Sequence, residues 1–159
     1  MSTGDQLEIF GRLLLAFLLG TSVGLEREFR GHEAGLRTIA LTCLGAAIFG
    51  EASNIYGDSR VAAGVVQGIG FLGAGLIITR GLTIVGATTA TTVWAMAGVG
   101  LLVSADAWLA SILITLSIVV ALEMSPLSDW VLRHGRPSAE VRRIQELANA
   151  PQDDASRET

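Results

Sequence analysis

The sequence has no lysine, one cysteine, two histidines, one tyrosine and three prolines in 159 residues, and only 16% of it is charged. Each shortage excludes something. A single cysteine, Cys43, leaves no intramolecular disulfide and no cysteine-based zinc site. The histidines, His32 and His134, stand alone in separate segments and suggest neither a metal site nor a catalytic base. A soluble domain of this length is about a quarter charged. Low charge with 50% apolar residues excludes a disordered chain and a nucleic-acid-binding one. With no lysine, all eleven basic residues are arginine, which is read as genomic base composition rather than function. Asp5 and Glu8 precede the first apolar run with no basic residue beside them, the wrong sign for a cleaved signal peptide. There is no GxSxG, HExxH or Walker motif. The string Gly68-Ile-Gly70-Phe-Leu-Gly73 matches GxGxxG but lies in an apolar run with no preceding strand, so it is not a dinucleotide loop. No enzyme is expected.

What is present is apolar sequence. The mean hydropathy is +0.53. Charges crowd into residues 1–37, 51–60 and 123–159. Between them five apolar stretches fall near 7–25, 36–50, 61–78, 84–103 and 107–122. About 18 helical residues span roughly 27 Å, close to the hydrocarbon thickness. Lipid cannot satisfy a bare backbone, so each stretch is expected to be a helix. The expected fold is an all-α membrane protein with five transmembrane helices. Arg27, Arg30, Arg37, Arg80, Arg133, Arg136, Arg142, Arg143 and Arg157 would share one side, and Arg60 the other. The positive-inside rule then puts the N-terminus outside and the C-terminus in the cytoplasm. Residues 1–125 form the membrane domain. Residues 126–159 form a cytoplasmic tail, part amphipathic helix (Val141, Ile144 and Leu147 recur at spacing three) and part disordered.

Three patterns suggest function. The first is glycine. Ala16, Gly20 and Gly24 make an i, i+4 ridge that begins at Arg12, and Gly64, Gly68, Gly70, Gly73 and Gly75 crowd the third stretch. Small residues let helices approach closely in lipid. The alternative is that residues 68–75 form an interrupted helix lining a site. The second is polarity inside apolar runs. Gln67 lies in stretch three, and Thr88, Thr89, Thr91 and Thr92 open stretch four. Thr88, Thr91 and Thr92 share a helical face. Their hydroxyls either bond back to helix carbonyls or reach Gln67 or residues of the first stretch. Arg12 either snorkels or pairs with Glu8 one turn earlier. The third is the cluster Glu26, Arg27, Glu28, Arg30, His32, Glu33 and Arg37, with Glu123 expected at the same membrane face. Its alternating signs argue for internal pairing. Alternatively Glu26, Glu28 and Glu123 are candidates for holding a hard cation such as magnesium. No other cofactor is expected.

The runs Gly24-Leu-Glu-Arg-Glu28, Ala34-Gly-Leu-Arg-Thr38, Gly68-Ile-Gly-Phe-Leu-Gly-Ala-Gly75 and Thr88-Thr-Ala-Thr-Thr-Val-Trp94 resemble the membrane domain of the MgtC/SapB (YhiD) family. The resemblance covers residues 7–122. It implies a bacterial inner-membrane protein of about five spans. Its best-known members are linked to growth in low magnesium and to survival inside host phagocytes, and are better described as regulators of other membrane proteins than as magnesium transporters. Many members continue into a soluble ACT-like domain, and no counterpart of it is expected in residues 126–159. By resemblance the functional positions are Glu26, Arg27, Arg37, Thr38, Thr88 and Trp94, with Gly68, Gly70, Gly73 and Gly75; Glu28, Gln67 and Thr92 join them from their chemistry. The expected function is a non-enzymatic regulatory or stress-adaptation protein tied to magnesium homeostasis. It is expected to sit in the lipid bilayer, to form a homodimer, and to pack against other inner-membrane proteins. The alternative is a transporter or channel for a cation or small solute.

Overall fold

Among the described residues five helices follow one another: α1 Thr3–Phe29, α2 Leu36–Tyr56, α3 Ser59–Leu76, α4 Ala87–Ser104 and α5 Trp108–Glu123. They belong to a computed structural model that describes residues 1–80 and 83–124. The first four are long and apolar enough to cross a membrane. The fifth has 16 residues, about 24 Å of helix. The tail expected at 126–159 lies outside the described residues, and the compact unit discussed below is Met1–Leu122.

The ends of the helices differ from the apolar runs, and local chemistry explains why. Helix α1 starts at Thr3 because Ser2 and Asp5 form a capping box: Asp5 N donates to Ser2 Oγ at 3.2 Å, and Ser2 N donates to Asp5 Oδ2 at 2.7 Å. Helix α2 continues past Gly50 to Tyr56 and stops at Gly57, whose φ of +65° suits glycine. Asp58 then caps α3 by accepting from Arg60 N at 3.0 Å. The all-α expectation needs one correction. Strands β1 Ile78–Arg80 and β2 Thr83–Val85 pair antiparallel, with Ile78 opposite Val85 and Thr79 opposite Ile84. They occupy the ends expected to belong to spans three and four. Ile78, Thr79, Ile84 and Val85 are β-branched, and a short apolar run does not reveal by periodicity whether it is strand or helix. A second correction concerns residues 68–75. Helix α3 runs through all five of its glycines without interruption.

Helix α2 lies between α1 and α4. From α1 it receives Ala16, Gly20, Val23 and Gly24, all buried. A Cβ at Gly20 would stand 2.8 Å from Ala40 Cα, and one at Gly24 would stand 2.7 Å from Leu36 Cα. The two helices therefore meet backbone to backbone, as small residues permit. From α4, α2 receives Gly100, where a Cβ would stand 3.0 Å from Ala46 Cβ. Ile39, Cys43, Ala47, Val93, Met96, Val99 and Val103 fill the core of this sandwich. Helix α3 packs loosely against α4 and α2. It buries only Ile69 and Gly73.

Candidate functional site

Polar groups gather at the two ends of the α1–α2–α4 sandwich. At one end, Arg12 of α1 sits among three carboxylates. Its Nη2 is 2.6 Å from Glu8 Oε1, its Nη1 is 3.4 Å from Glu51 Oε1, and its Nε is 3.4 Å from Asp106 Oδ1. Glu51, near the end of α2, is only 4% exposed. Asp106 is presented by the α4–α5 turn with a φ of +63°. Asn54 strengthens the same end by donating to Ser104 O at 2.7 Å. Of these partners only Glu8 follows from local spacing. Glu51 carried a usable signal: it lies one helical turn beyond Ala47 on the buried face of α2, where a carboxylate needs a cation.

At the other end, Arg27 belongs to the last turn of α1 and is 3% exposed. It falls on the same buried stripe as Gly20 and Gly24. Its Nη2 donates to Thr89 Oγ1 at 3.2 Å, joining α1 to the first turn of α4. Its Nε is buried without a hydrogen-bond partner. Glu26 instead turns to Arg30, with Oε1 at 2.7 Å from Nε, an ion pair lacking hydrogen-bond alignment. Glu28 accepts from Leu36 N at 2.8 Å. Since Gly35 has no side chain with which to cap α2, Glu28 supplies the cap from eight residues earlier. A cavity of about 390 Å³ opens here, with Arg27, His32, Gly86, Thr88 and Thr89 among its lining. Burial, then the neighbouring Arg27 charge, pushes the His32 imidazole below its usual range.

The remaining candidates are dispersed. Thr92 is buried and donates to Thr88 O at 2.8 Å, while Thr91 donates to Ala87 O and Thr88 O. These hydroxyls bond back to their own helix. The threonine that reaches another helix is Thr89, which lies outside the face expected to matter. Gln67 is exposed on α3, and Trp94 is 56% exposed on α4. Arg37 and Thr38 are exposed at the start of α2. Among the described residues, no three His, Cys, Asp or Glu side chains are grouped to hold a metal ion.

A second cavity lies along the bundle, between α2 and α3. It measures about 650 Å³, and Leu41, Gly45, Phe49, Gly64, Gly68 and Leu72 are among its lining. A Cβ at Gly45, Gly64, Gly68, Gly70 or Gly75 would meet nothing within 4 Å, whereas one at Gly73 would meet Ala90 at 3.8 Å. Of the glycines expected to pack, Gly20, Gly24 and Gly73 thus face other helices of the chain. Gly64, Gly68, Gly70 and Gly75 face open space.

Four apolar helices of crossing length define a multi-pass helical membrane protein. The MgtC family matches residues 13–129, and the chain belongs to that family. A protein MgtC of Brucella abortus is 52% identical over 94 residues, covering 57% of this chain and 40% of that protein. A protein MgtC of Salmonella typhimurium is 47% identical over 93 residues, with the same coverage of each. An uncharacterised protein of Synechocystis is 38% identical over 135 residues, 82% of this chain and 58% of its own length. The chain therefore spans about 40–60% of the length of these relatives. No solved structure matches.

Proposed function

We propose that this is a regulatory, stress-adaptation protein of the bacterial inner membrane that works without catalysis, by packing its helices against those of other membrane proteins or of a second copy. The groove between α2 and α3 carries the reading. It is apolar and open, and Gly45, Gly64 and Gly68 leave its walls without side chains. Small residues let a partner's helix approach at backbone distance. The link to magnesium homeostasis rests on the family resemblance. The arginine distribution supports five crossings, with the N-terminus outside and the C-terminus in the cytoplasm.

The test is capture from mild detergent, with cross-linking to read self-association. Gly68→Leu fills the groove, and nothing in the chain stands within 4 Å of a new Cβ there. The variant is expected to fold and to lose at least tenfold in partner or self capture. If every contact persists, the reading is wrong. Reconstituted liposomes are expected to show no magnesium flux; flux that depends on Gln67 or Glu26 would replace this reading with a transporter.

A further inference from the structure

Arg27 is a buried cation with no carboxylate in ion-pair contact among the described residues; the nearest counter-charge is the buried carboxylate of Glu26, which turns to Arg30. Arg27 is 3% exposed, and its one hydrogen bond goes to a neutral hydroxyl. A buried charge is costly unless paired. Glu26 and Glu28, the carboxylates beside it in sequence, are engaged with Arg30 and with the Leu36 amide. Arg27 lines a cavity whose wall includes the N-terminal residues of α4. That 18-residue helix has Gly86 at its N-cap, with no side chain to satisfy the first amides. Amides at a helix start, with the helix dipole behind them, favour negative charge. Thr88 adds an exposed hydroxyl at the rim, and His32 adds an imidazole. One carboxylate, that of the exposed Glu33, is also in the lining and opposes an anion.

We propose that this cavity is a phosphoryl-binding site, in which the Arg27 guanidinium, the first amides of α4 and the Thr88 hydroxyl close on one phosphate group. A guanidinium fork with several convergent N–H donors suits a tetrahedral oxyanion better than a halide. At about 30 Å³ per water, 390 Å³ holds roughly thirteen waters, enough for a phosphate and part of its ester substituent. The site lies where α1 ends and α4 begins, so the group can belong to an anionic lipid headgroup or to a free phosphate. It is separate from the α2–α3 groove and does not rest on the docking of a partner helix.

The experiment uses the full chain. One arm, in detergent, compares inorganic phosphate with chloride at equal ionic strength, reading thermal unfolding and the His32 resonance. The other arm reads the same two signals in nanodiscs of phosphatidylglycerol or of phosphatidylcholine. Arg27→Gln removes the charge. Thr88→Asp places a carboxylate in the first turn of α4, where it is tolerated and competes with the ligand. A saturable stabilisation, with an upward shift in the His32 titration, is expected, and both variants should weaken it at least tenfold. A response to inorganic phosphate supports a free ligand. A response only to phosphatidylglycerol supports a headgroup. If neither differs from its control, or if Thr88→Asp responds as the unaltered chain does, the site is not a phosphoryl site.

Discussion

Changing Gly24 to alanine probes how α1 is held against α2. The added Cβ would stand 2.7 Å from Leu36 Cα and 2.9 Å from Leu36 O. Both are backbone atoms, so no flexible side chain can swing aside. Overpacking costs about 1–3 kcal/mol, and backbone neighbours place this case near the upper end. Alanine also favours the helix over glycine by about 0.5–1 kcal/mol. The net loss should be about 1–2 kcal/mol. Gly64→Ala is the matched control, because its Cβ would meet nothing within 4 Å. It receives the helix term alone and should gain about 0.5–1 kcal/mol. The gap between the variants is then about 1.5–3 kcal/mol, a factor of roughly 10 to 150 in the unfolding equilibrium. Equilibrium unfolding in mixed micelles, followed by circular dichroism, measures it. Equal stability of the two variants would refute backbone-to-backbone packing at this crossing.

Arg12→Met should destabilise the chain by about 3 kcal/mol, because it strands the buried Glu51 carboxylate; adding Glu51→Gln should recover more than half of the loss in the same unfolding assay. Glu28→Ala should cost about 1 kcal/mol through the lost cap on α2, and Glu28→Gln less, since an amide oxygen still accepts from Leu36 N. His32 binds its proton less readily in the folded chain than in the unfolded one, so folding stability should fall as pH drops below 6.5 and level off below the folded value. His32→Asn should remove that component of the pH profile.

Much of the bundle was legible because lipid restricts the options to helices, and the five apolar runs mark them directly. The ridge Ala16, Gly20 and Gly24 was readable for the same reason: small residues four apart leave one flat face. The hairpin was not, since Ile84 and Val85 are as apolar as the helix that follows them. Nor could spacing say which glycine faces a helix. Gly73 and Gly75 look alike in sequence, yet only Gly73 meets Ala90. At the polar ends, the sequence revealed the local pair Arg12–Glu8, four residues apart, and internal pairing in the cluster that holds Glu26 and Arg30. It concealed Arg12–Glu51 and Arg27–Thr89, because partners 39 and 62 residues apart are brought together only by the packing of α1 with α2 and α4.

The Arg12–Glu51 pair also bears on biogenesis. Each charge alone costs about 2.5–3.5 kcal/mol at the centre of an inserting helix, and less toward its end. Helix α1 released by itself would carry Arg12 into lipid with Glu8 as its nearest offset, and α2 would then arrive with a bare carboxylate. Leaving the translocon as a hairpin lets the two ionic side chains neutralise one another during entry. The six-residue connection from Arg30 to Gly35, short enough to keep the helices side by side, is what makes such concerted insertion feasible.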